Sequence, residues 1–539
     1  MLCFPGLRGS STIGVIFAAL ATAPLAAAAG FSHPAAPRAP QLYARAATLV
    51  QLSDPGGALS PALRASGARL VSPSLNVWRI PAARAGRAVA ALRAEHILAR
   101  AEPDQRFVPF GRLTTSSDPL VPNEWWIHDV GDDQVEAPAA GVPVTVLDTG
   151  VDLSHPEFKS RPGTTALNAQ VVAPSNDPNQ EPEHGTAVSS IVAAPSNGVG
   201  VVGVYPQAAL QEWDFGDGLL SQVLAGLDAI SRRGRGVVNA SGGFLGFSML
   251  LEEAVDRALR RGTIVVAAVG NDRERGSRSF VPASLPHVLT VGGTDENDHV
   301  TFFSNRSSAL DLAAPAVNMP VAVPTFYSPS GYTNFNGTSF SAPLVSGAAA
   351  WVWTLRPQLD PTQVEDVMRQ SARDVGAKGW DPDTGFGILS IPAALAARTP
   401  AKDPQEPNDN VDLVRPHAIT ASGTRLATPA RLQARLDIAK DPEDVYRVWV
   451  PAHAQISAGT HSAANVNVAL WGPKTRSVFE RGSALRRDLI AYSQRSGSAP
   501  DSVGGRNATG RGAFYYVDAF LGKRVSRASY VLKVAVARP

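Results

Sequence analysis

The sequence predicts an α/β protein built on a mostly parallel sheet, with a smaller α/β unit before it and an antiparallel β-sandwich after it. Three observations carry this. Between Trp125 and about Ala397, short apolar runs of the kind buried on both faces alternate with helical patterns. Residues 42–107 read β-α-β-β-α-β. Beyond residue 410 helical periodicity disappears, and short alternating segments are separated by Gly, Ser, Pro and Asn.

The elements follow in chain order. Within residues 1–29, Arg8 precedes an apolar stretch from Ile13 to Ala29 that ends in small residues, the pattern of a cleaved secretory signal peptide. A membrane anchor is the alternative, but the run is short and broken by Pro24. In the unit spanning 30–107, strand-like ATLVQL, ARLVS, LNVWRI and ILARA enclose helical LSPALRASG and RAGRAVAALRAEH. The segment VPFGRLTTSSDPLVPN is rich in Ser, Thr, Pro and Gly, so 108–121 is expected to be an exposed linker and a site of maturation cleavage.

From 122 to 397, strands are expected at VPVTVL, ALQEWDF, GVVNAS, TIVVAAVG, VLTVGG and ALDLAAP. Helices are expected at HGTAVSSIVAA, LLSQVLAGLDAISRRG, MLLEEAVDRALRRG, SAPLVSGAAAWVWTLR and PTQVEDVMRQSARDV. RTPAKDPQEPNDN, 398–410, is a second linker. Residues 411–539, with DVYRVWV, NVNVALW, AFYYVDAF and SYVLKVAV, form the expected sandwich.

Composition narrows the function. With 539 residues, 44% hydrophobic and 18% charged, the chain holds material for several cores. A formal charge of +2 and the lack of a Lys/Arg run interleaved with aromatics argue against a nucleic-acid partner. Cys3 is the only cysteine and precedes the apolar core of the leader, so the exported chain has neither disulfides nor a catalytic thiol. No second segment is long and apolar enough to span a bilayer, so export without a stable membrane anchor is expected. Glycosylation sequons occur at Asn239, Asn305, Asn336 and Asn507. Two lie beside the candidate site, where a glycan would obstruct substrate, which suits a bacterial host.

Three segments carry chemistry: VTVLDTGVDLSHPEF at 144–158, HGTAVSSIVAA at 184–194 and NGTSFSAPLVSG at 336–347. Neutral serine is a weak nucleophile that needs a base, and the base needs a third group to fix its tautomer. Ser339, His184 and Asp148 fit those roles. Each alone is commonplace, as a GTS turn, a buried histidine and a turn aspartate. Together, in the order Asp, His, Ser, they match one of the known orders of the serine-hydrolase triad. Ser339 is expected to open a helix with Pro343 in its first turn, where the N-terminus favours developing negative charge. Asn271, after the strand-like TIVVAAVG, is placed to stabilise an oxyanion beside the Ser339 N–H. Because His184 must be neutral to act as a base, activity is expected to rise from acid toward neutral pH.

These segments, with NGVGVVGVYPQA at 197–208, VVNASGG at 237–243, AAVGN at 267–271, FVPASLPHVLTVGG at 280–293 and GTSFSAP at 337–343, resemble the subtilisin-like serine peptidases, the subtilase family, over nearly all of 122–397. The resemblance implies a subtilisin-like three-layer fold, Asp148, His184 and Ser339 as catalytic triad and Asn271 as oxyanion donor. It makes Ser241, Gly242 and Gly243 the edge on which an extended substrate docks. It also implies that 30–107 is a ferredoxin-like inhibitory propeptide and that 411–539 is similar to the pre-peptidase-type β-sandwich of secreted bacterial peptidases. The chain departs from the family at Phe340-Ser341, where many members have Met-Ala, and at SSI after HGTAV. In the charged loop GNDRERGSRSFVPA, Phe280 either fills the primary specificity pocket or packs into the core.

The implied protein is a secreted endopeptidase made as a self-processing zymogen. It acts through an acyl-enzyme on protein or peptide substrates, as a monomer, with its own propeptide as intramolecular inhibitor. No metal or other cofactor is needed for catalysis; at the 195–201 loop two readings stay open, a structural Ca²⁺ with Asn197 and Glu157 as ligands or plain loop packing, and acidic DPQEPNDN and DPEDV invite the same two readings. Two other readings stay open: a processing peptidase of narrow specificity, and a non-catalytic surface-binding protein that uses the β-rich tail.

Overall fold

The seven-stranded central sheet runs Leu312–Pro315, Val288–Thr294, Thr263–Ala268, Gly236–Ala240, Val144–Asp148, Leu210–Asp214 and Thr164–Ala166, every neighbouring pair parallel. The protein is described by a computed structural model covering residues 47–537 apart from 54–59, 105–107, 110–112, 116–120, 160, 178–179 and 416. The expected signal peptide lies outside the described residues.

Helices cover both faces of the sheet, which is why its inner strands are continuous apolar runs. Alternate residues of one strand feed opposite layers. Val144, Val146, Ile264 and Val266 pack with the helices His184–Ala193 and Thr338–Leu355, whereas Leu147, Val265 and Ala267 pack with Leu220–Ser231 and Met249–Arg260. This is the subtilisin-like three-layer α/β fold that the sequence led us to expect.

Strand order fixes where a site can form. From the central Val144–Asp148 the chain first builds strands on one side, then returns to lay Gly236–Ala240 on the other. Ligands of open parallel sheets bind beyond the carboxyl ends of the strands at such a reversal. Asp148 ends one of the two flanking strands, and Ser241 follows the other.

Before this layer, Arg69–Ser72, Val77–Ile80, Thr48–Leu52 and Leu98–Pro103 form an antiparallel sheet in that order. One face is closed by the helices Pro61–Ser66 and Ala82–Ala94 through Val50, Leu63, Ile80, Ala88 and Leu92. Leu49, Leu75 and Val77 instead join the core of the two helices Leu220–Ser231 and Met249–Arg260.

The segment expected as an exposed linker behaves differently. Val108–Pro109 pairs antiparallel with Gly242 and Gly243, and Leu113–Thr115 pairs antiparallel with Asn334–Asn336. Strand addition uses main-chain groups that every non-proline residue carries, so a Ser/Thr/Pro/Gly composition holds no sign of it.

The tail is a sandwich of two four-stranded antiparallel sheets. Their shared core includes Tyr446, Val448, Val468, Val517, Leu532 and Val534. It also contains a short helix, Gly482–Asp488, that its Gly- and Arg-rich sequence does not announce. Lys440 of the tail reaches into the central layer, where its buried ammonium meets Asp311 at 2.8 Å and donates to the Val288 carbonyl at 2.6 Å.

Candidate active site

The aspartate and histidine segments are clasped together by their threonines. Thr149 Oγ1 donates to the Glu181 carbonyl at 3.0 Å and accepts the Gly185 N–H at 3.0 Å. Thr186 Oγ1 accepts the Asp152 N–H at 2.9 Å. A Cβ on Gly185 would lie 2.3 Å from the Gly150 carbonyl oxygen, so only glycine permits this approach. The clasp aims Asp148, at its strand end, at His184, the first residue of its helix. Asp148 Oδ1 lies 2.8 Å from His184 Nδ1 and also accepts the Thr149 N–H at 2.8 Å. Asp148, His184 and Ser339 are 2%, 1% and 0% exposed. The carboxylate therefore fixes the imidazole with Nδ1 as the protonated nitrogen.

A further buried acid stands close by. Glu212 accepts a hydrogen bond from Ser189 Oγ at 3.1 Å, and desolvation pushes its carboxyl well above the usual range.

Ser339 is the second residue of the helix Thr338–Leu355. The adjacent Phe340 ring lies 5.9 Å from the His184 ring, centroid to centroid, which brings this helix start to the imidazole. Pro343 is the sixth helical residue, one turn later than the sequence suggested. Proline has no N–H to give to the carbonyl four residues back, that of Ser339. Ser241 replaces it: its hydroxyl donates to Ser339 O at 2.8 Å, while Ser339 Oγ donates to Ser241 O at 2.9 Å. Asn239 Nδ2 then donates to Ser241 Oγ at 2.9 Å, and Ser346 Oγ to Asn239 Oδ1 at 3.0 Å. The sequence reading used VVNASGG only for its backbone edge; the extra signal was a Pro four residues after the candidate nucleophile.

Asn271 is oriented by the same helix start. Its Oδ1 accepts the Thr338 N–H at 3.0 Å and the Thr338 hydroxyl at 2.9 Å, which turns the Nδ2 donor toward Gly337. Gly337 has φ +147°, and a Cβ there would lie 3.1 Å from Asn271 Nδ2. The amide donor and the N-terminal turn of the Ser339 helix thus face one space, the arrangement an oxyanion needs. Gly242 and Gly243 lie on the adjoining strand Gly242–Leu245, paired on one side with Phe280–Val281 and on the other with the chain's own Val108–Pro109. The structure therefore brings together all the residues singled out for catalysis and substrate docking.

Of the two alternatives the sequence left open for Phe280, packing against the core is seen directly. The side chain is half-buried against the core, and it lines a cleft of about 720 Å³ with Phe247, Arg278, Asn305 and Ile438. At the 195–201 loop, Glu157 Oε1 accepts the Val201 N–H at 3.0 Å and the Tyr332 hydroxyl at 2.9 Å. Asn197 Oδ1 accepts the Val199 N–H at 2.9 Å. The four sequon asparagines, Asn239, Asn305, Asn336 and Asn507, are all buried in the folded chain. Among the described residues, no helix is long and apolar enough to cross a membrane.

Residues 139–387 match the subtilase family. The chain is 36% identical over 276 residues to Subtilisin Savinase of Lederbergia lenta, an alignment covering 49% of this chain and 97% of that one. It is 33% identical over 279 residues to Subtilisin amylosacchariticus of Bacillus subtilis subsp. amylosacchariticus, covering 49% and 70%. Among solved structures it superposes on fervidolysin of Fervidobacterium pennivorans, a keratinolytic enzyme related to subtilisin, with a TM-score of 0.57 and 18% identity. That match covers 90% of this chain and 92% of the other, and concerns the fold alone.

Proposed function

The chain belongs to the subtilase family of serine endopeptidases, and from that premise we propose that it is a secreted peptidase made as a self-processing precursor. Ser339 Oγ attacks the carbonyl of a peptide bond, and His184 takes its proton. Asp148 holds the imidazole and stabilises the imidazolium, while Asn271 Nδ2 and the Ser339 N–H bind the oxyanion. The imidazolium then protonates the leaving amine, and water, activated by His184, releases the acyl group from Ser339. The observation that carries the reading is the Asp148–His184 hydrogen bond set beside a helix start that presents Ser339 and orients Asn271. Catalysis needs no cofactor. Should the 195–201 loop hold a Ca²⁺, Glu157 Oε2, buried without a hydrogen-bond partner, and Asn197 would be its side-chain ligands.

The N-terminal unit acts as inhibitor. Glu102 Oε1 accepts the Leu250 N–H at 2.9 Å and Glu102 also takes the Ser248 hydroxyl, capping the helix Met249–Arg260. Asp104 accepts the Ser221 N–H and hydroxyl, both at 2.7 Å, at the start of Leu220–Ser231. Two carboxylates on two positive helix ends make a directional dock. From it the chain enters the substrate edge as an added strand, Pro109 opposite Gly242. The chain pairs again at Leu113, opposite Asn336, so the bond cut in maturation is placed between Pro109 and Leu113. Export is directed by residues 1–29.

Expression of the parent and of Ser339→Ala tests this. The parent should shorten to a new N-terminus within 110–113 and then digest casein; Ser339→Ala should keep its N-terminal unit and leave casein intact. Equal shortening of both, or a mature parent inert toward casein, would refute it.

A further inference from the structure

The N-terminal unit meets more than the peptidase layer. Arg100, on its strand Leu98–Pro103, reaches the start of the helix Met249–Arg260, where the guanidinium donates to Glu253 Oε2 at 2.8 Å and to the Met249 carbonyl at 3.4 Å. Gln51 of the same unit also donates to Glu253 Oε2, at 2.7 Å. The remaining wall of this place belongs to the tail. Arg100 shares the lining of a cavity of about 50 Å³ with Asp412, Pro442 and Phe479.

Among the described residues of that lining Arg100 is the only cation, and it faces five acids, Glu252, Glu253, Asp256, Asp409 and Asp412. Two of them have further partners outside it: Glu253 receives Arg257 at 2.7 Å, and Asp409 receives His287 Nε2 at 2.6 Å. Burial raises the carboxyls of Asp412 and Glu252, and Arg100 is one of the charges that lower both. Asp412 cannot swing away from the cavity, because its neighbours Val411, Leu413 and Val414 are buried. Asn410 Oδ1 accepts the N–H groups of Val411 at 2.8 Å and Val478 at 3.1 Å, which ties the Phe479 turn to the same wall. Phe479 and Met249, both exposed, line the cavity as well, and there an arginine stem finds apolar cover.

We propose that the tail completes the binding surface for the inhibitory N-terminal unit: Arg100 is held between Glu253 of the peptidase layer and the Asp412 wall of the tail, so the tail slows release of the unit after the chain is cut. This rests on the reading of 30–107 as an inhibitor. The tail is itself keyed to the peptidase layer by Lys440 and Asp311, so its wall stays in register with the helix Met249–Arg260. Once the unit leaves, the lining keeps its acids and loses that cation, so rebinding is favoured and weakens with salt.

The test follows the full-length chain. Precursor is left to cut itself and is then diluted; the cut is followed on gels, and release of the N-terminal unit is read as the onset of peptide p-nitroanilide cleavage. A partly exposed ion pair is worth up to about fivefold in a rate or equilibrium constant. Asp412→Asn should therefore speed the onset about two- to fivefold at low salt, leave the rate of the cut and the final kcat/KM unchanged, and lose its advantage in about 0.5 M NaCl. In the Arg100→Gln background the same substitution should add nothing, because its partner is already gone. An onset unchanged in Asp412→Asn, or accelerated equally in both backgrounds, overturns the proposal. A parent that never cuts itself overturns instead the inhibitor reading beneath it. If Asp412→Asn does not fold, Phe479→Ala on the exposed part of the wall carries the test: an onset about twofold faster supports the proposal and an unchanged one overturns it.

Discussion

Ser241→Ala removes the hydroxyl that takes the place of the N–H missing from Pro343. In the parent, Ser339 O is buried and receives the Ser241 hydroxyl at 2.8 Å. The variant removes that donor, and Asn239 Nδ2 loses its acceptor. One orphaned buried group costs about 1–3 kcal/mol, and Asn239 can partly re-pair, so a stability loss of about 2–3 kcal/mol is expected. The substrate edge is main chain and survives, so KM should stay within about threefold of the parent. The helix start that carries Ser339 loses an anchor, and a misplacement of about 1 Å costs up to about 100-fold, so kcat should fall by about 10- to 100-fold. Steady-state kinetics on a peptide p-nitroanilide and urea unfolding in the Ser339→Ala background measure the two effects separately. A kcat within twofold of the parent together with a stability change below about 0.5 kcal/mol would refute the reasoning.

Other outcomes follow from the same structure. Burial pushes the Glu124 carboxyl up to about 8, above its ordinary value, so ionising it costs stability. The parent should lose stability as pH rises from about 4.5 to about 8, and Glu124→Gln, whose amide oxygen still accepts the Val202 N–H, should melt higher at pH 8 with a flatter pH profile. Gly185→Ala drives a Cβ onto the Gly150 carbonyl and should lower kcat/KM by more than about tenfold through the Asp148–His184 geometry; unchanged kinetics would show that the clasp is irrelevant. Lys440→Met leaves Asp311 short of one cation and the Val288 carbonyl without this donor, and should cost about 3–5 kcal/mol in urea unfolding; a loss under about 1 kcal/mol would mean the tail is only loosely keyed. Asp104→Ala should weaken inhibition by the separated N-terminal unit about tenfold, measured as its inhibition constant against mature enzyme.

What the sequence revealed was what side chains repeat. Val144–Asp148, Thr263–Ala268 and Val288–Thr294 are buried on both faces and read as apolar runs, and the candidate residues lie at their ends or at helix starts, where short motifs survive as text. Val108–Pro109 and Leu113–Thr115 were missed because strand pairing is made by main-chain groups that leave no mark in composition. Ser241 was read only as backbone because its second task exists only once Pro343 lies four residues beyond Ser339 in a helix.

The most direct test of the central claim is covalent labelling of the mature enzyme with a fluorophosphonate, mapped by peptide mass spectrometry. The account predicts one adduct per chain, on the peptide containing Ser339, and labelling at least 100-fold slower in His184→Ala. An unmodified Ser339 after the N-terminal unit has been removed, or labelling of His184→Ala at the parent's rate, would contradict it.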